Sequence, residues 1–172
     1  MANIALYPGG YKPPHIGHYL AAKQALKEGA DKVIVFVGPK EREGITQNMS
    51  ITLWKLYTQN DPIEIRPAGV SPVRDVYDFV EQIAPEGSTV LLGLGEKDAE
   101  DGRYNNIPKF AEPRNITAKI ELVPPQAGGI SGTRMREIIK NNNKKIYAKG
   151  FPPRIPPGQF IVPAWFDIPY KV

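Results

Sequence analysis

Asp31-Lys32-Val33-Ile34-Val35-Phe36-Val37-Gly38 contains the longest uninterrupted apolar run in the chain, five residues from Val33 to Val37. A strand with one face in water alternates apolar and polar side chains, and this one does not, so both of its faces are covered. That pattern belongs to the middle of a parallel sheet. Upstream, Ile4 to Tyr7 reads as a shorter strand that ends in Pro8-Gly9-Gly10. A helix from about Ile16 to Lys27 follows, with Leu20, Ala21, Ala25 and Leu26 expected on its buried stripe. Downstream, Thr46 caps a helix to about Gln59, and Ile63 to Ile65 is a strand. Ser71 before Pro72 then opens a helix in which Val73, Val76, Tyr77, Val80 and Ile83 recur at helical spacing until Pro85-Glu86-Gly87. Thr89 to Leu94 is a fourth strand and Ala118 to Val123 a fifth, separated by a polar, irregular stretch over residues 96 to 116. Thr133 to Asn141 reads as a last helix.

Strands alternating with helices predict an α/β fold, a doubly wound five-stranded parallel sheet with helices on both faces, whose ligands bind beyond the C-terminal strand edges. The 172 residues make one domain of ordinary size, and 41% hydrophobic with 23% charged residues is a globular composition. From about Lys149 prolines and aromatics interleave, as in Phe151-Pro152-Pro153 and Trp165-Phe166. Residues 1–148 therefore read as the domain and 149–172 as a Pro/aromatic-rich C-terminal arm. Such an arm packs on its own domain or on a neighbouring subunit, the second case making a homo-oligomer.

No stretch approaches the ~20 apolar residues of a membrane helix, so no membrane partner is expected. The first ten residues lack a basic leader, which makes a cytoplasmic location the expectation. Cysteine is absent, which excludes disulfides, thiol catalysis and thiolate metal sites. The net charge of +4 is uneven: residues 131–172 carry eight Lys and Arg against two acidic residues. An excess of that kind suits an anionic partner, either a phosphorylated small molecule or nucleic acid. Nucleic acid is the weaker of the two, because Lys144, Lys145 and Lys149 form a modest patch with little aromatic interleaving.

Two short segments carry the chemistry. The first, Gly9-Gly10-Tyr11-Lys12-Pro13-Pro14-His15-Ile16-Gly17-His18, lies between the first strand and first helix. Gly9 and Gly10 are expected to supply positive φ and a close backbone approach, and Pro13-Pro14 to keep the loop extended. His15 and His18 share a face at the helix start, beside unpaired N–H groups, with Gly17 leaving the approach open. Two imidazoles and a helix dipole can hold and neutralise phosphate oxygens. The chain has only two histidines, so a histidine-rich metal site is excluded. The second segment, Ile130-Ser131-Gly132-Thr133-Arg134-Met135-Arg136, opens the last helix. Cations in a first helical turn oppose the dipole unless an anion lies there, and a triphosphate would be such an anion.

The first segment resembles the Gly-x-Phe-x-Pro-x-His-x-Gly-His pattern of the HxGH nucleotidyltransferase superfamily, with Tyr11 in the aromatic place. The second resembles that superfamily's Ile-Ser-Ser-Thr-x-x-Arg pattern, with Gly132 replacing the second serine and Arg136 in the arginine place. The resemblance spans about residues 3 to 147 and points to the nicotinamide-mononucleotide and pantetheine-phosphate adenylyltransferases. It implies a Rossmann-like fold and transfer of the NMP moiety of ATP or CTP to the phosphate of a small phosphomonoester acceptor, releasing pyrophosphate. It further implies catalytic roles for His18, His15 and Lys12, and nucleotide binding by Tyr11, Gly10, Gly17, Gly95, Glu96, Asp98, Ser131, Thr133 and Arg136. Lys40, Arg42 and Arg74 are possible contacts to the acceptor phosphate. Lys12 departs from the superfamily's usual Asp, Asn or Gln and cannot ligate Mg²⁺, so the cation would be held mainly by nucleotide phosphates and no residue is expected to be a metal ligand. The alternative is a non-catalytic protein of the same fold with a structural or ligand-sensing role.

Overall fold

The computed structural model describes residues 2–123 together with Thr133, Arg136 and Glu137. Ser131, the remainder of the last helix and the 149–172 arm lie outside the described residues. Five strands, β1 (Asn3–Gly9), β2 (Lys32–Val37), β3 (Ile63–Pro67), β4 (Thr89–Leu94) and β5 (Thr117–Leu122), form one sheet in the order β3-β2-β1-β4-β5. Every neighbouring pair is parallel. Helices α1 (Ile16–Lys27) and α2 (Gln47–Thr58) connect the first three strands. Helix α3 (Pro72–Asp78) leads to β4, and α4 (Glu96–Asp101) and α5 (Ile107–Ala111) lead to β5.

The run that anchors the sequence reading behaves as its pattern requires. Val33, Val35 and Val37 enter a core with Tyr19, Ala22, Leu53, Trp54 and Tyr57 from α1 and α2. Ile34 and Phe36 enter the opposite core with Val76, Phe79, Val80, Leu92 and Ile107. Successive side chains of a strand point to opposite faces, so two cores require an apolar residue at each position. Each fully buried aliphatic side chain contributes roughly 1.5–3 kcal/mol of transfer free energy.

Three expectations are corrected. On α1 the expected Ala25 is buried and Leu26 packs against the core, but Leu20 is 44% exposed, and Tyr19 and Ala22 fill the places expected of Leu20 and Ala21. After α3 the chain winds through a wider π-type turn at Phe79–Ile83, which sends Phe79 and Val80 inward and leaves Ile83 exposed. Residues 96–116 are not irregular: they contain α4, α5 and a 3₁₀ turn at Glu112–Arg114, with Tyr104, Ile107 and Ala111 buried. Helices of six and five residues split by Gly102 at φ 78° are too short to display a 3.6-residue period.

Candidate active site

The C-terminal ends of β1 and β2 are joined where Gly38 N–H donates to the Gly9 carbonyl at 2.8 Å. The chain then turns, and the residue with positive φ is Tyr11, at 51°, rather than Gly9 or Gly10 as expected. Tyr11 is held there by its own contacts. Its hydroxyl donates to the Tyr7 carbonyl at 3.0 Å, and its carbonyl accepts from the Ser50 hydroxyl. Its ring stands edge-on to His18 at 4.7 Å and to Trp54 at 5.3 Å between centroids. Glycine is required at position 9 by space, since a Cβ there would meet the Tyr11 ring at 2.9 Å. A Cβ on Gly10 would meet nothing within 4 Å, so that backbone is open to the cleft.

Lys12, followed by a cis bond to Pro13, is buried, and its ammonium donates to the carbonyls of Gly10 and Gly38. It ties the ends of β1 and β2 together as well as lining the cleft. Burial pulls its pKa down to about 8.

His15 is the N-cap of α1, and its Nδ1 accepts from Gly17 N–H at 3.0 Å. The Nδ1 of His18 accepts from His15 N–H at 3.0 Å, and the two rings stack with centroids 3.7 Å apart. A neutral imidazole that accepts at Nδ1 carries its proton on Nε2. Burial lowers the pKa of His15 to about 4, and burial together with the neighbouring His15 holds His18 well below the ordinary range. The pair is therefore neutral at pH 7. In the free protein the rings present N–H donors, and two N–H groups of the helix start are already satisfied by them.

A pH dependence follows. Between pH 6.5 and about 4 the unfolded chain takes up protons that folded His15 and His18 refuse, so stability falls as pH falls through that window. The slope approaches ~1.4 kcal/mol per pH unit for each histidine. Urea midpoints measured from pH 7 to pH 5 check this, and a flat profile contradicts it.

A cavity of about 560 Å³ opens beside His18, lined also by Gly10, Tyr11, Lys12, Lys40, Arg42 and Arg136. Lys40 and Arg42 come from the loop after β2. That loop reverses at Glu43 and Gly44, with φ of 49° and 85°, while Arg42 and Ile45 exchange backbone hydrogen bonds of 3.0 Å. Arg136, only 7% exposed, donates to the Lys12 carbonyl at 2.9 Å and to Thr133 Oγ1 at 3.1 Å, and its Nε lies 2.9 Å from Glu43 Oε2. Thr133 is helical and exposed. Gly17 lies buried inside the first turn of α1. The sequence reading thus brings together both histidines, Lys12, Lys40, Arg42 and Arg136.

Arg74 and Glu96 lie elsewhere, while Gly95 and Asp98 line a neighbouring cavity with His18 and Tyr11. Arg74 is outside the cleft, largely exposed and 3.9 Å from Asp78. Gly95 caps α4, and Glu96 is exposed in its first turn. Asp98 reaches two smaller cavities, one of about 210 Å³ floored by Tyr7 and Gly93, the other of about 300 Å³ beside Lys40, Ser71 and Tyr104. Burial raises the Asp98 pKa. The sequence reading missed Glu43, Ser50 and Trp54. Trp54 reads simply as a core residue of α2, and nothing local marks Ser50, but Glu43-Gly44 in a charged loop after a central strand is a turn signal. Among the described residues no group of three His, Asp or Glu could hold a metal ion, and no helix is long and apolar enough to cross a membrane.

A paired-histidine helix start and convergent cations, set at the centre of a doubly wound parallel sheet, define an α/β domain of the nucleotidyltransferase class. Residues 6–138 match the cytidylyltransferase-like family model, and the chain belongs to that family. Among its relatives is a probable nicotinate-nucleotide adenylyltransferase of Borreliella afzelii, 25% identical over 157 residues that cover 84% of this chain and 75% of the relative. A nicotinamide-nucleotide adenylyltransferase of Pyrobaculum aerophilum is 29% identical over 100 residues, covering 52% of this chain and 56% of the relative. A solved structure from Vibrio parahaemolyticus, assigned as a nicotinate-nucleotide adenylyltransferase, shares the fold with a TM-score of 0.52 at 10% identity, over 83% of each chain.

Proposed function

We propose that the chain transfers the adenylyl group of ATP to the phosphate of a nicotinate- or nicotinamide-type mononucleotide, releasing pyrophosphate. The observation that carries this reading is the stacked histidine pair, whose Nδ1 atoms are occupied by backbone N–H groups, beside a cavity ringed by four cations. The names of the relatives favour ATP over CTP and this class of acceptor.

In this reading an oxygen of the acceptor phosphate attacks the α-phosphorus of ATP, the bond to the bridging oxygen of the β-phosphate breaks, and a phosphoanhydride forms. The nucleophile is already an anion, so catalysis is positioning and stabilisation of charge. His18 donates Nε2–H to the α-phosphate, and His15 stacks behind it and caps the helix. Lys12, Lys40 and Arg42 offset charge along the phosphate chain, while Ser131, Thr133 and Arg136 bind the β- and γ-phosphates. Gly10, Gly17 and Tyr11 shape the approach. Asp98, half-buried at the cleft, is better placed than Glu96 to accept from a ribose hydroxyl. The described donor set does not build a protein-held cation site, so Mg²⁺ is proposed to travel on the nucleotide's phosphates.

Pyrophosphate release tests the reading, with ATP or CTP offered together with each mononucleotide. Turnover is expected with ATP and one or both acceptors; turnover with CTP alone, or none at all, overturns it. Gly10→Val gives a second check. Its Cβ meets nothing within 4 Å and Gly10 lines the cleft, so the melting midpoint is expected to stay within about 2 °C of wild type while ATP affinity falls more than about tenfold. Calorimetric titration of the folded variant measures that loss.

A further inference from the structure

Glu43 has no part in the proposed reaction, yet its carboxylate pairs with the cleft's arginine. Each nitrogen of the Arg136 guanidinium has a partner: Nη1 the Lys12 carbonyl, Nη2 the Thr133 hydroxyl, and Nε the Glu43 carboxylate at 2.9 Å. The three partners differ in kind. The Lys12 carbonyl belongs to the loop at the end of β1 and is fixed by the backbone. Thr133 is exposed, and its hydroxyl can yield Nη2 to a phosphate oxygen at little cost. Glu43 is charged and sits on a two-residue reversal pinned by the paired backbone bonds of Arg42 and Ile45. The same reversal places Arg42 in the cavity that Arg136 also lines, and a neighbouring cavity of about 320 Å³ is bounded by both arginines, Glu43 and Thr133.

We propose that Glu43 is a positioning residue: it holds the Nε edge of Arg136, so that the guanidinium presents its Nη2 edge to the nucleotide's β- and γ-phosphates, with Arg42 alongside. A long arginine side chain loses rotamer freedom when it is fixed. A carboxylate that fixes it in the free protein removes that cost from the binding step, which is preorganisation. The cleft keeps its sign despite the carboxylate, because Lys12, Lys40 and Arg42 remain. The alternative, in which Glu43 stands in for phosphate and must be displaced, predicts the opposite effect on affinity.

The proposal rests on the nucleotidyltransfer reading, and wild type is therefore measured first. If wild type neither binds ATP nor turns over, both readings fail. If it does bind, Glu43→Ala is expected to raise the dissociation constant and KM for ATP about tenfold, leave KM for the acceptor unchanged, and lower kcat less than threefold. Glu43→Gln retains an oxygen for Nε and is expected to recover most of the loss, which covers the case in which the alanine variant folds poorly. In an Arg136→Ala background Glu43→Ala is expected to change ATP affinity less than twofold, because the residue acts through the arginine. Unchanged or tighter ATP binding by Glu43→Ala and Glu43→Gln overturns the proposal, as does an equal loss in both backgrounds.

Discussion

His18→Ala is expected to lower turnover by about 10²–10³-fold while changing ATP affinity less than about tenfold, the effect of removing one preorganised donor from a developing oxyanion. The free protein holds this ring ready. Its Nδ1 is occupied by the His15 N–H, the His15 ring stacks on one side, and Tyr11 abuts its edge, so Nε2–H needs no reorganisation to donate. Alanine also leaves the His15 N–H without its acceptor, a separate structural cost of about 1–3 kcal/mol. His18→Asn separates the two effects, because an asparagine carbonyl can still accept from the helix start. It is expected to restore the melting midpoint without restoring turnover. Single-turnover rates together with equilibrium binding decide the matter, and an active His18→Ala variant would remove His18 from the mechanism.

Gly93→Ala is the second large expected effect, this time on stability. Gly93 is buried in β4, and a Cβ there would come within 2.4 Å of the Tyr7 ring, with two more ring atoms at 2.7 and 2.9 Å. Tyr7 cannot retreat freely, since its hydroxyl donates to the Ala21 carbonyl at 3.3 Å on α1. Overpacking of this kind costs about 1–3 kcal/mol and occasionally more, which for a domain of this size lowers the melting midpoint by roughly 3–10 °C. Tyr7→Ala combined with Gly93→Ala removes the opposing ring, and the two losses are expected to be less than additive. Calorimetric melting of the two single variants and the double variant measures the coupling; a Gly93→Ala midpoint equal to wild type contradicts the contact.

The sheet was legible because its strands carry their burial in their composition. Val33 to Val37 feed two cores at once, and only an unbroken apolar run can do that. The helices α4 and α5 were not legible, because Glu96-Lys97-Asp98-Ala99-Glu100-Asp101 has no apolar stripe and owes its place to packing on β4. At the cleft, residue types and spacing identify His15, His18 and Arg136, but spacing does not reveal which ring nitrogen the backbone occupies. The stacking of the pair, and the cations that the loop after β2 brings beside it, appear only in three dimensions. Tyr11 is a similar case: a positive φ at a tyrosine, beside two glycines that do not use one, depends on tertiary contacts with Tyr7, Ser50 and Trp54.

The position of β1 governs how the chain assembles. It pairs with β2 after a short connection, but with β4 only after the 79 residues from Gly10 to Ser88. Strands β1 to β3 with α1 and α2 are joined by pairings close in sequence, whereas β4 pairs with a strand distant in sequence. Amides of β1, hydrogen-bonded on both sides, should therefore exchange with solvent most slowly, and those of β5 at the sheet edge sooner. The smaller cavity beside His18 lies on the seam between the β1–β3 half and the β4–β5 half, touching Gly9 and Gly10 from one and Gly93 and Asp98 from the other. A molecule bound across that seam acts as a clamp on the β4–β5 half, and its signature is a slower unfolding rate as well as a higher melting midpoint.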